Sequence, residues 1–440
     1  EAAEKALKAA LEINPNLIRA HIMMADLHLF DDEYEEARKE IDAALKVNPK
    51  DLEALSTLAA WYYDSGEKEK FEETCSQVLK LNPHYADLYN TIAGACERKR
   101  QFPQAHKFYL KAIQIDPDHW RGYYGAGMAL ARRGEDAEGK KLLEKSFKLN
   151  KFNLFCRNML VVLDKLIPPE GYKSQFDAVK TEHFVIFAPK KDAAFLLPYY
   201  SRCLEEAYAK FKDKYKFTPE NPTIVEVFSD HGQFSARTTG LPLIGADGAC
   251  FGKLITLDSP RVWQAGTVGK FNWATVAEHE LMHTFSLQIT NYRIPRWLTE
   301  GLSVFEEGVP RIELDPLFAS AVANSRLIKV QDLNRQMTRP TARMNPLLAY
   351  YQARRIVEFV YAKHGRPGME KLLAECRSGR KIEEAVPAAL GSTMEEFEKE
   401  VLEHQKKFAA EVVRYSGAPD KATFTKLQLE VKENPDDPAK

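Results

Sequence analysis

The sequence has few cysteines and none of them are paired by spacing. Cys75, Cys96, Cys156, Cys203, Cys250 and Cys376 stand far apart, and no C-x-x-C occurs. That excludes a zinc ribbon or a thioredoxin-type redox centre. Cysteines dispersed in this way read as small buried hydrophobes and lean toward a reducing, intracellular compartment. A periplasmic or secreted location stays open, because residue 1 is Glu and the chain opens in mid-helix, so a targeting segment could precede it. There is no surplus of charge either. Lys and Arg number 62 against 63 Asp and Glu, so nothing in the balance points to nucleic acid or to an anionic membrane surface. No apolar run reaches the ~18 residues of a membrane span. Disorder is excluded by 45% hydrophobic residues beside 28% charged ones. A chain of 440 residues has room for roughly two or three domains.

What is present begins with a period. Asn14-Pro15, Asn48-Pro49 and Asn82-Pro83 are followed by Asp116-Pro117 and Asn150-Lys151, every step being 34 residues. Within one step the apolar and small positions are Leu55, Leu58, Ala59, Tyr62, Phe71, Cys75 and Val78. The next holds Tyr89, Ile92, Ala93, Cys96, Ala105, Tyr109 and Ala112. Small residues let two helices approach, and large ones fill the groove of the neighbouring pair. The pattern resembles the tetratricopeptide repeat. The resemblance implies an all-α solenoid over residues 1–167, with a concave face for an extended peptide or a partner helix. The Lys and Asn clamp of chaperone-binding repeats is not matched, since its positions hold Ile22, Asp26, Thr57, Asp87 and Thr91. The expected partner is therefore a protein of unspecified kind, with a plain docking platform as the alternative.

The period stops at Leu166-Ile167-Pro168-Pro169-Glu170-Gly171, which has a linker's composition. Thr181–Phe187 and Thr223–Phe228 carry strand patterns around a helical stretch from about Asp192 to Lys214. Gly248–Leu257 reads as one further strand, its glycines permitting close backbone approach. Helical patterns follow to about Gln405. This α+β order predicts a second domain over residues 172–410. A helical segment over 411–440, with Asn434-Pro435 near its end, reads as the start of a second repeat array.

The chemistry gathers in Ala277-Glu278-His279-Glu280-Leu281-Met282-His283-Thr284. On a helix of ~3.6 residues per turn, His279 and His283 stand one above the other and both reach one Zn²⁺. Glu280 leans over the same ion. Two histidines leave a catalytic zinc short of a ligand. Sixteen residues beyond His283 comes Glu300, in Pro295-Arg296-Trp297-Leu298-Thr299-Glu300-Gly301, and it would complete His₂Glu with one position open for water. An acid near a helix start is also favoured by the helix dipole alone. The histidine pair decides for the ligand.

H-E-x-x-H followed by W-x-x-E-G resembles the gluzincins, the thermolysin-like branch of zinc metallopeptidases. The Pro295–Gly301 wording is similar to the peptidase MA-like domains often joined to tetratricopeptide repeats. The resemblance covers roughly residues 175–410. It implies one Zn²⁺ per chain on His279, His283 and Glu300, with Glu280 as the general base that passes its proton to the leaving amine. It also implies an oxyanion donor. Tyr350 is the candidate, in Leu348-Ala349-Tyr350-Tyr351-Gln352-Ala353, with His231 and Arg237 behind it. Glu307, two turns past Glu300, is a candidate acceptor for a ligand imidazole N–H, the alternative being a solvated acid like Glu306.

Gly248-Ala249-Cys250-Phe251-Gly252 stands where related aminopeptidases carry G-A-M-E-N, and such a strand pairs with substrate backbone. The acid that would hold a free N-terminus is missing, so the expected activity is that of an endopeptidase on polypeptide substrates. Two other readings stay open. One is a repeat scaffold whose zinc folds the domain without turnover. The other is zinc-dependent hydrolysis of a non-peptide substrate.

Overall fold

The computed structural model of the chain describes residues 2–262, 272–338 and 345–416. The chain divides into two compact units, with the boundary after Arg293.

The first unit opens with helices α1 (Ala2–Ile13), α2 (Ile18–Phe30), α3 (Tyr34–Val47), α4 (Leu52–Ser65) and α5 (Lys68–Leu81). It continues with α6 (Asp87–Arg98), α7 (Phe102–Ile115), α8 (Trp120–Ala131), α9 (Asp136–Leu149) and α10 (Leu154–Leu166). From α2 to α9 they pack as successive pairs, α2 on α3, α4 on α5, α6 on α7 and α8 on α9. The residue after each second helix makes the turn. Asn14, Asn48, Asn82, Asp116 and Asn150 each accept, on Oδ1, the backbone N–H two residues on, at 3.0 Å in every case. The side chain thus stands in for the preceding backbone carbonyl and closes a tight turn. The turn survives at Asn150, where Lys151 replaces proline, so the carboxamide acceptor and not the ring sets the stop. Small residues then set helix spacing. A Cβ on Gly127 would lie 2.9 Å from the Gly139 carbonyl oxygen, where α8 meets α9. The expected repeat positions Leu55, Leu58, Ala59, Tyr62, Cys75 and Val78 are all buried.

After α10 the chain builds a sheet from β1 (Phe176–Lys180), β2 (Phe184–Pro189), β3 (Thr223–Phe228), β4 (Gly248–Cys250) and β5 (Leu254–Asp258). The spatial order is β1-β2-β3-β5-β4. β2, β3 and β5 run parallel, with β1 and β4 added antiparallel at the two edges. α11 (Lys190–Tyr215) connects β2 to β3, and α12 (His231–Thr239) follows β3. α13 (Trp273–Ile289) packs on α11, β4 and β5.

The stretch Gly248–Leu257 is a hairpin and not one strand. Gly252 takes φ 94° between the two arms, and Gly248 pairs with Leu257 while Cys250 pairs with Ile255. A residue in the left-handed region turns the chain at no steric cost only when it is glycine. The strand read from Thr181 begins at Phe184 and gains β1 as its neighbour.

The second unit holds α14 (Arg296–Glu306), α15 (Asp315–Ala323), α16 (Val330–Thr338), α17 (Pro346–Ser378), α18 (Ile382–Leu390) and α19 (Met394–Ser416). α17 is two helices joined at a kink, where Gly365 has φ 64°. α14 lies on α17, and Gly301 permits the close crossing, because a Cβ there would lie 2.7 Å from the Ala353 carbonyl oxygen. Phe318, Ala321, Leu348 and Tyr351 form a small core under α15 and α17. Asn434-Pro435, read as a repeat boundary, lies outside the described residues. Among the described residues no helix is long and apolar enough to cross a membrane. All six cysteines are free thiols and five are buried.

Candidate metal centre

Helix α13 starts where Asn272 caps it, Oδ1 accepting the Thr275 N–H at 3.3 Å. Its apolar side is fixed by Phe285, whose ring sits 5.3 Å from that of Tyr208 and 5.6 Å from that of Phe211. Trp273 packs on Tyr200 with centroids 4.5 Å apart. Leu281, Met282 and Leu287 are buried as well, so the turn from His279 to His283 has one direction. The two Nε2 atoms are 3.1 Å apart and the rings stand at 76°. Two donors on a tetrahedral ion with bonds of ~2.0–2.1 Å are separated by ~3.3 Å, which this pair approaches.

Glu300 sits buried in the second turn of α14. The helix start is held by Asn334, whose Oδ1 accepts the Arg296 N–H at 2.7 Å. Trp297, Leu298 and Leu302 form its buried face. One ligand atom each from His279, His283 and Glu300 lie within 4.8 Å of one another, a possible His/Glu metal site. Two imidazoles and one carboxylate suit zinc. Calcium and magnesium take oxygen ligands throughout.

Glu280 is buried directly against β4. A Cβ on Gly248 would lie 2.7 Å from its Oε1. One turn on, the Thr284 hydroxyl lies 3.4 Å from Cys250 Sγ. The sheet's edge strand therefore crosses the turn that carries Glu280. Of the residues Gly248–Gly252, the first three form β4, while Phe251 and Gly252 make the hairpin turn.

Tyr350 is half-buried near the start of α17, in the neighbourhood of Arg296. Arg296 Nε lies 3.5 Å from Glu300 Oε1. Burial works against the Arg296 charge, but Glu300 and Tyr350 outweigh it and hold its pKa above the ordinary value. Tyr351, next in sequence, is 4% exposed and donates its hydroxyl to Asp315, so it is the core member of the pair. Glu307 is buried and accepts from Arg311 Nε at 3.0 Å. Glu306, expected on a solvated face, is buried too, because the polar positions near the end of α14 turn inward.

His231 and Arg237, weighed above as oxyanion donors, are committed elsewhere. Arg237 is fully buried and donates to both Glu226 oxygens at 2.7 and 2.9 Å, to Asp136 at 2.9 Å and to the Ala131 carbonyl at 3.1 Å. Burial pushes the Asp136 carboxyl up, and the Arg237 charge pulls it back. His231 lies between Asp258 Oδ2 at 2.6 Å and the Ile244 carbonyl at 2.8 Å. Two acceptors ask for both ring N–H groups. Burial opposes that charge, the two bonds outweigh it, and the His231 pKa is raised.

Residues 266–406 match the family model described as Peptidase MA superfamily, and residues 1–62 and 86–119 match models of the tetratricopeptide repeat. No curated protein matches the chain. Among solved structures, one titled "Functional Characterization of Pseudomonas Aeruginosa pilF" is similar at 21% identity, over 33% of this chain and 67% of that one, with TM-score 0.25. A crystal structure of MamA is similar at 21% identity, over 34% of this chain and 86% of that one, with TM-score 0.22. YrrB, described as a TPR protein with an unusual peptide-binding site, is similar at 17% identity, over 37% and 83%, with TM-score 0.22.

Proposed function

We propose that this chain, a Peptidase MA superfamily domain joined to tetratricopeptide repeats, is a zinc-dependent endopeptidase whose repeats bind protein. The supporting observation is a donor set of two imidazoles and one carboxylate, with a buried glutamate on the same helix lying against a sheet edge. His279, His283 and Glu300 would hold one Zn²⁺ per chain. When bound, zinc polarises a carbonyl and lowers the pKa of water. Glu280 takes the proton of the attacking water and delivers it to the leaving amine. Gly248, Ala249 and Cys250 offer backbone groups to an extended substrate, with Phe251 and Gly252 ending that edge. Tyr350 donates its hydroxyl to the developing oxyanion. Glu307 orients the ligand imidazoles. No acid stands in Gly248–Gly252 to hold a free N-terminus, which favours internal cleavage.

Metal analysis of protein purified without chelator is expected to give about one zinc per chain. Cleavage of an unstructured polypeptide is expected to stop with chelator and to return with added zinc. Glu280→Gln is expected to keep the metal and lose cleavage. Zinc without turnover of any polypeptide would leave the scaffold and non-peptide readings, and protein that holds no zinc sinks all three.

A further inference from the structure

The side chain just after β4 turns away from its own sheet, while the Phe251 N–H still donates to the Leu254 carbonyl at 2.8 Å. The Phe251 ring packs against Phe102 at the start of α7, with centroids 6.1 Å apart at 61°, and joins the repeats' core around Ala105 and Tyr109. Arg132, at the end of α8, covers both rings. Its Cζ lies 5.6 Å from the Phe102 centroid and 5.7 Å from that of Phe251. Glu97 fixes the guanidinium at 3.0 Å and is itself held by the Tyr109 hydroxyl at 2.9 Å.

On its other side the turn is fastened to the end of α13. The Gly252 carbonyl accepts from Gln288 Nε2 at 2.9 Å. The Tyr292 hydroxyl comes so close that a Cβ on Gly252 would lie 2.5 Å from it. A three-residue strand with one ladder partner has little rigidity of its own, so its ends decide where it lies. One end rests on Glu280 through Gly248. The other is gripped by the repeats.

We infer that Phe251, Phe102 and Arg132 are positioning residues for the edge strand, through which the repeat array holds β4 at the height where an extended polypeptide pairs with it over Glu280. The inference rests on the reading of β4 as the substrate-pairing strand. The array is then a working wall of the substrate site as well as a handle for protein.

The test uses the full chain carrying Phe251→Ala, Phe251→Leu or Arg132→Ala. With an unstructured polypeptide as substrate, Phe251→Ala is expected to raise KM about three- to tenfold with kcat within about twofold, because alignment is lost and the base is not. Zinc content stays unchanged, and Phe251→Leu, which refills the space, restores most of the KM. A second readout needs no turnover. Amide hydrogen exchange over residues 248–252 is expected to quicken about tenfold in Phe251→Ala and Arg132→Ala while α13 stays protected. Unchanged KM with unchanged exchange overturns the inference. Faster exchange throughout the first unit with loss of zinc also overturns it, since the role would then be general folding. Should the wild type cleave nothing, the peptidase reading falls alone and the exchange pattern still decides whether the array grips the strand.

Discussion

One methyl group at Gly248 tests the relation between edge strand and base. In Gly248→Ala the new Cβ would lie 2.7 Å from Glu280 Oε1, 2.8 Å from its Cγ and 3.0 Å from its Cδ, where ordinary contact begins at 3.4 Å. Because Cγ is crowded along with the carboxylate, spinning the carboxylate does not relieve the contact. Either Glu280 swings away or β4 lifts, by about 0.7 Å, and a misplacement of ~1 Å in a catalytic set costs up to ~10²-fold. The expected loss in kcat is about 10- to 100-fold, or ~1.4–2.7 kcal/mol of barrier. The backbone at Gly248 is not in the left-handed region, so the only strain is the contact itself; zinc content is expected to stay at the wild-type value and melting to show a loss of ~1–3 kcal/mol at most. The assay is cleavage of a fluorescently labelled unstructured polypeptide at saturating concentration, with calorimetry and metal analysis on the same samples. Gly245→Ala, whose Cβ would meet nothing within 4 Å, serves as the silent control. Full kcat in Gly248→Ala would refute the placement of Glu280 against β4.

Gly301→Ala drives a Cβ against the Ala353 carbonyl oxygen at 2.7 Å and its carbon at 2.8 Å. Backbone cannot yield as a side chain does, so thermal melting is expected to show a loss of ~1–3 kcal/mol, and an unchanged melting temperature would contradict the tight crossing of α14 and α17. Arg237→Met leaves Glu226 and Asp136 buried without their cation, and urea unfolding is expected to show a loss of ~3–5 kcal/mol. A loss no larger than that of an exposed arginine would refute the cluster's role. His231 predicts a pH effect of definite sign. Its folded pKa is raised above 6.5, so the stabilisation is complete below 6.5 and is lost as pH rises through the folded value. Asp258, pushed up to about 6 chiefly by burial, is ionised over that window. Amides around Ile244 are expected to lose protection as pH rises above 6.5 through the folded His231 value in the wild type and not in His231→Gln, and equal slopes would count against the clamp.

The repeats were legible because their signal is local. Asn48 and Asn82 act on backbone two residues away, and Leu55 or Ala59 repeats its role every 34 residues. His279 and His283 were legible for the same reason, a helix fixing their spacing without help from the rest of the chain. The hairpin was not, since the alternation on both sides of Gly252 reads as one strand unless its positive φ is known. Arg237 stands in the sequence as a fallback oxyanion donor behind Tyr350, because its partner Asp136 lies 101 residues earlier and no periodicity links the two. Separation along the chain hid the grip of Phe102 on Phe251 as well. Tyr350 and Tyr351 look alike in sequence. Only the packing of Tyr351 on Phe318, with its hydroxyl on Asp315, separates them.

The contacts that tie repeats to sheet described above come from Phe102, Arg132, Asp136 and their neighbours, none of them earlier than α7. This sets a limit on how such a chain can drift over generations. Whole 34-residue steps can be gained or lost before α6 at little expense, because each touches chiefly the next repeat. A deletion spanning α7 to α9 would strand Arg237 and strip Phe251 at one stroke. Lineages of this architecture are thus expected to vary freely in the number of leading repeats while keeping the last two and the hairpin as one inherited block.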